Sequence, residues 1–116
     1  MYLLTNLANE PKQRLSMVLE DNTRLDLTFE YRENQAGWFF GFTYGEKTYQ
    51  NIRLTTAYSI LRAYRNLLPF GLRCDTVDNG EPIDIDDFVT GYAAVYLLTK
   101  EDVQAIEGNY YDKISA

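Results

Sequence analysis

Residues 24–31 alternate without a break: Leu25, Leu27, Phe29 and Tyr31 fall on one side, and Arg24, Asp26, Thr28 and Glu30 on the other. A period of two marks a strand with one face in a core and the other in water. Upstream, residues 14–20 alternate more loosely, with Leu15, Met17 and Leu19 in phase, and Asp21-Asn22-Thr23 supplies turn chemistry between the two runs. The pair predicts an antiparallel hairpin. The polar stretch Glu33-Asn34-Gln35-Ala36-Gly37 makes a second turn, after which Trp38, Phe40, Phe42 and Tyr44 line one face of a third strand. Gly41, on the opposite face, leaves room for close approach. Gly45-Glu46-Lys47 then turns the chain into a fourth strand over residues 48–54, so the first half reads as a β-meander.

The period changes after Thr55 and Thr56, either of which is suited to cap a helix. Ala57, Ile60, Leu61, Tyr64 and Leu68 follow i, i+3, i+4, i+7 spacing and predict a short helix near residues 56–66, with Ser59, Arg62 and Arg65 off its apolar stripe. Pro69 cannot continue it and stops it near Asn66 or Leu67. A short strand is predicted from Gly71 to Thr76. Residues 77–91, rich in turn formers and acids, read as a solvated loop. Tyr92 to Leu98 is apolar on both faces, as suits a central or doubly covered strand. Thr99-Lys100-Glu101-Asp102 has the form of a helix start with an acid three residues after threonine, and Gly108 ends that helix.

The fold class that follows is mostly β: an antiparallel, partly closed barrel or sandwich of six or seven strands, with one helix packed across it. Residues 1–108 form the expected single domain and residues 109–116 a flexible tail, whose Tyr110 and Tyr111 are available to dock on a partner. The expected core comprises Leu25, Leu27, Phe29, Trp38, Phe40, Leu61, Tyr64 and Tyr96, with Tyr58 adding to the burial.

Composition narrows the function. A chain of 116 residues suits one domain. Aromatic residues make up 15%, which favours pleated surfaces and protein interfaces. The chain has no histidine, so the commonest general base and the commonest transition-metal ligand are missing. Cys74 is the only cysteine, which excludes an intramolecular disulfide, and without a histidine beside it packing is the expected role. No apolar run approaches the length of a bilayer span and no basic-then-apolar leader opens the sequence, so a soluble, non-exported protein with no membrane contact is expected.

The formal net charge of −6 opposes binding to nucleic-acid phosphates. The balance is uneven along the chain. Residues 1–73 carry nine Lys or Arg against seven Asp or Glu, and residues 74–116 carry two against ten.

Four stretches of the sequence bear on chemistry. The cluster Asp84, Asp86 and Asp87 invites acid/base catalysis, but no apolar pocket or further catalytic group accompanies it, and a solvated acidic loop is the simpler reading. Asp75 to Asp86 has Asn79 and Gly80 at the fifth and sixth positions of an EF-hand-like loop, yet Val77 stands at the third and Asp86, not glutamate, at the twelfth. Gly37, Gly41 and Gly45 flank or interrupt a strand and do not form a phosphate loop. The aromatic face of residues 38–44 suits a core better than base stacking, given the negative charge. No catalytic residue, metal or cofactor is expected.

The order of motifs carries a resemblance. Pro11 and Gln13 precede the alternating strands, Tyr31 to Asn34 and Gly37-Trp38 follow, then Ile52 to Leu54, Leu61-x-x-Tyr64-Arg65 and Pro69-Phe70-Gly71-Leu72. An acidic loop then leads to a last strand carrying Tyr96-Leu97. Over residues 3–103 this resembles the baseplate plug family of tailed bacteriophages, with Tyr64-Arg65 and the Pro-Phe-Gly-Leu run as its most specific part. The acid-rich loop and the tail after residue 104 depart from the family pattern.

The resemblance implies a virion protein assembled in the host cytoplasm, at the centre of the tail baseplate where the tube meets the hub and spike. It implies assembly with other baseplate, hub or tube proteins, and no turnover. The charge asymmetry adds a homo-oligomeric ring in which Arg62, Arg65 and Arg73 of one subunit meet Asp84, Asp86 and Asp87 of the next, against the alternative that these charges are solvated or pair within one chain. Two other functions stay open at this point: a soluble β-fold adaptor or binding module acting through the acidic 77–91 loop, and a hydrolase needing a pocket that gathers two carboxylates.

Overall fold

Alternation along residues 24–32 builds the strand around which the larger sheet forms. The structure, a computed structural model, describes residues 1–56, 60–61 and 68–106. Seven strands run in the order β1 (Tyr2–Leu3), β2 (Lys12–Val18), β3 (Arg24–Arg32), β4 (Gly37–Tyr44), β5 (Lys47–Arg53), β6 (Gly71–Thr76) and β7 (Ala93–Leu98). A helix, α1, covers residues 100–106. Strands β2-β3-β4-β5 make one antiparallel sheet and β1-β7-β6 another. The sheets remain separate and do not close into a barrel, and one shared apolar core joins them as in a sandwich.

The turns follow from their residues. Between β2 and β3 the loop ends on Asn22 in the left-handed region, φ 64°, and the Asp21 side chain accepts the Thr23 N–H at 3.0 Å. Gly45, φ 60°, opens the two-residue turn between β4 and β5, where a residue with a Cβ would be strained.

Inward residues of the meander alternate into the core: Leu25, Leu27 and Phe29 on β3 and Trp38, Phe40 and Phe42 on β4 are buried, facing Leu72, Cys74, Val95 and Leu97 of the smaller sheet. Each such side chain withdrawn from water contributes about 1.5–3 kcal/mol. Gly41 sits where β5 bulges, between the Phe40–Ile52 and Phe42–Tyr49 pairs, and Asn51 takes φ 63° there. A Cβ on Gly41 would lie 2.7 Å from the Tyr49 carbonyl oxygen, so the strand needs a glycine for close approach.

At the start of α1, the Thr99 and Asp102 side chains reciprocate: Thr99 N–H donates to Asp102 at 3.0 Å, and Asp102 N–H donates to Thr99 Oγ1 at 3.2 Å. The backbone that Thr55 or Thr56 would cap lies outside the described residues, but Thr56 makes other bonds. Thr56 N–H donates to Glu81 and its hydroxyl to the Gly80 carbonyl, tying the chain to the acidic loop. Most of the helix predicted near 56–66, with Tyr58, Arg62, Tyr64 and Arg65, and the tail at 109–116 lie outside the described residues.

Candidate functional site

The acidic segment between β6 and β7 is where the structure departs most from a solvated loop. Pro82 and Asp87 are buried, and Phe88 packs on Trp38 at 4.9 Å and on Phe29 at 6.4 Å between ring centroids. Polar groups of the larger sheet hold the loop backbone: Trp38 Nε1 donates to the Asp84 carbonyl at 3.1 Å and Tyr31 Oη to the Ile83 carbonyl at 2.7 Å. Ile85 and Phe88 alternate with the acids and supply the apolar anchor.

Of the six residues expected at a subunit interface, Arg73, Asp84, Asp86 and Asp87 are described, and each has its own surroundings. Asp87 faces inward, where its carboxylate accepts the Asp84 N–H at 2.9 Å. Burial pushes its carboxyl above the usual range, and the neighbouring charges of Asp84 and Asp86 add to that, while the backbone N–H groups of Asp84 and Ile83 act against it. Asp84 and Asp86 are exposed, and Asp86 accepts from the Asn9 amide at 3.2 Å. Arg73, on β6, pairs with Asp75 at 3.0 Å. Arg62 and Arg65 lie outside the described residues.

Of the expected core, Leu25, Leu27, Phe29, Trp38, Phe40 and Leu61 are buried. Tyr96 lies on the outer face of the smaller sheet, half-buried between Leu3 and Arg73, because β7 turns Val95 and Leu97 inward. Tyr64 lies outside the described residues.

The outer face of the larger sheet forms a second polar surface. Arg32 and Arg53 bracket the Phe39 ring at 4.2 and 5.4 Å, and Asp26 binds Arg14 and Arg24 at 3.4 and 3.1 Å. A third feature is a groove of about 420 Å³ between the sheets, lined by Tyr2, Leu4, Met17, Leu19, Phe70 and Leu98 among others, with Glu20 and Asp21 contributed by one turn. Asp21 is already engaged there, accepting the Tyr44 hydroxyl at 2.6 Å, and that bond lowers its carboxyl pKa.

Cys74 is buried between the sheets, and desolvation pushes its thiol up to about 12, so it stays protonated at neutral pH. Among the described residues no group of three or more Cys, Asp or Glu is placed to hold a metal ion, and no helix is long and apolar enough to cross a membrane.

Sequence reasoning passes over two features. The strand β1 is two residues long, too short for a period, and both residues are exposed. The inward role of the acidic loop is signalled only by Ile85 and Phe88 spaced among its carboxylates.

Compared with curated proteins, the chain matches none. A family profile does match it, over residues 1–100, which takes in both sheets and the acidic loop. The chain therefore belongs to the family described as cyanophage baseplate Pam3 plug gp18, a family of phage baseplate structural proteins.

Proposed function

We propose that this chain is a non-enzymatic subunit at the centre of a phage tail baseplate, where the tail tube meets the hub and spike. The observation that carries this is the family match over residues 1–100, nearly the whole chain. The construction of the molecule supports it. The acids Asp78, Asp84 and Asp87 are engaged in holding loops, either through their side chains or through their backbone, and do not converge on a cavity.

In this reading the subunit assembles with further copies of itself into a ring, inside the host cytoplasm, before the tail is complete. The exposed Asp84 and Asp86 of one copy meet basic residues of the next, with Arg62, Arg65 and Arg73 as the cations; Asp87, facing inward, takes no part. A head-to-tail contact of this kind closes into a ring when its rotation permits.

The test is disruption of the coding gene in the phage that carries it, followed by electron microscopy of the tails. Tails lacking the axial part of the baseplate, restored by supplying the chain in trans, are expected. Intact baseplates without the chain would overturn the proposal. For the ring, joint charge reversal of Arg62 and Arg65 is expected to abolish the oligomer without changing the circular dichroism spectrum; unaltered assembly would remove that contact.

A further inference from the structure

We propose that β2 is an acceptor edge: an extended segment of a different baseplate chain adds beside it as a fifth strand of the larger sheet, placing apolar side chains in the groove toward β1 and carboxylates on its outer face. The proposal rests on the baseplate reading above.

Backbone geometry comes first. The Tyr31 N–H donates to the Pro11 carbonyl at 2.8 Å and the Leu19 N–H to the Thr23 carbonyl at 2.9 Å. With the register from Lys12–Glu30 to Val18–Arg24, these bonds fix Gln13, Leu15 and Met17 as the residues whose backbone groups face β3. The N–H and C=O groups of Lys12, Arg14, Ser16 and Val18 therefore point away from the sheet, and among the described residues no backbone bond joins them to another segment. The strand is seven residues long and pairs with β3 without a register shift.

The other edges are guarded. A bulge with Asn51 in the left-handed region twists β5, the Ile60 N–H donates to the Leu72 carbonyl on β6 at 2.9 Å, and β1 spans only two residues. A long, straight, unpaired edge is a template for another strand, and β2 alone has that form among these edges.

Packing comes second. Met17 on the inner side of β2 and Leu19 just after it, with Tyr2 and Leu4 also in the lining, border the 420 Å³ groove beside this edge. At its rim Tyr2 is 59% and Val18 69% exposed. A strand added to β2 turns every second side chain over this groove.

Charge selects the occupant. Lys12, Arg14 and Arg24 stand on the outer face beside the edge against two carboxylates, Asp26 and Glu30, a surplus of one positive charge in a chain of net charge −6. A second copy of β2 would bring Lys12 and Arg14 back to the same edge and add no carboxylate, so a different chain with acids at outward positions fits better.

The test uses tail particles purified from the phage. Ser16→Pro removes one outward N–H and leaves the β2–β3 ladder intact; Ser16→Ala, which also loses the hydroxyl bond to Asp26, is its matched control. Ser16→Ala is expected to enter tails at the wild-type level, and Ser16→Pro at a level lower by about tenfold or more, since edge pairing supplies the affinity. In wild-type tails the Arg14 and Ser16 amides are expected to exchange with deuterium at least about tenfold more slowly than in the purified chain. Benzoylphenylalanine at position 14 is expected to cross-link to another baseplate protein.

Amides of β2 that exchange in tails as fast as in the free chain overturn the proposal, as does a cross-link to a second copy. The exchange experiment needs no variant, so a misfolded Ser16→Pro protein does not shield the idea. Absence of the wild-type chain from tails is a separate result and sinks the baseplate reading with it.

Discussion

The indole Nε1 of Trp38 donates to the carbonyl oxygen of Asp84 across 3.1 Å, joining the middle of the larger sheet to a loop 46 positions further along the chain. Trp38 is fully buried, with Tyr31 at 5.3 Å and Phe88 at 4.9 Å between ring centroids. One side chain thus fills the core and fixes the acidic segment. Trp38→Ala should cost about 3–5 kcal/mol of stability. Trp38→Phe keeps much of the ring packing but leaves the Asp84 carbonyl without its donor, for a loss of about 1–3 kcal/mol. Urea unfolding of both variants checks the order; a Phe variant as damaged as the Ala variant would contradict it.

Asp87 serves as an inward acceptor for the loop backbone. Asp87→Ala strands the Asp84 N–H and should cost about 1–3 kcal/mol, whereas Asp87→Asn retains an acceptor oxygen and should cost little at neutral pH. The pH dependence has a definite sign. Burial raises the folded-state pKa of Asp87, so the folded protein holds this proton more tightly than the unfolded chain. Its ionisation therefore subtracts stability as pH rises from about 3.9, the ordinary carboxylate value, through the raised folded value. Relative to Asp87→Asn, the wild type should lose stability over that interval and show no such loss below it. Thermal denaturation of the pair between acidic and neutral pH measures the difference.

Gly41→Ala places a methyl group 2.7 Å from the Tyr49 carbonyl oxygen and 3.2 Å from the Gln50 Cα, both of them backbone atoms. No side-chain rotation relieves that contact, and the β4–β5 pair must separate. A cost of about 1–3 kcal/mol is expected, with faster amide exchange along β5. Unchanged stability would mean that the bulge moves freely.

Cys74 should resist alkylation. Its thiol is buried and its pKa is pushed up to about 12, so iodoacetamide at pH 8 should leave the folded protein unmodified and label it fully after denaturation. Labelling of the native protein, followed by mass spectrometry, decides the matter.

The meander was legible because β3 and β4 keep a period of two over several residues, β2 keeps it more loosely, and the turns carry their own chemistry, from Asp21-Asn22 to Gly45. The Thr99–Asp102 start of α1 was legible for the same reason: the signal is local, and both bonds form as the spacing implies. The acidic loop was less so. Its composition speaks for water, while the bonds from Trp38 and Tyr31 that hold it are set by the sheet and leave no trace in the loop's own residues. The open side of β2 was hidden in another way. Alternation shows which side chains face the core, but only the strand order shows that the backbone groups of Lys12, Arg14, Ser16 and Val18 point away from the sheet, with no backbone bond to another segment among the described residues.

Cryo-electron microscopy of the intact tail tests most directly whether this small sandwich is built to be held by its neighbours. Density matching the two sheets, on the tail axis between the tube and the spike, is the predicted result. A tail whose base is fully explained by other chains, with this one absent or bound elsewhere on the particle, would contradict it.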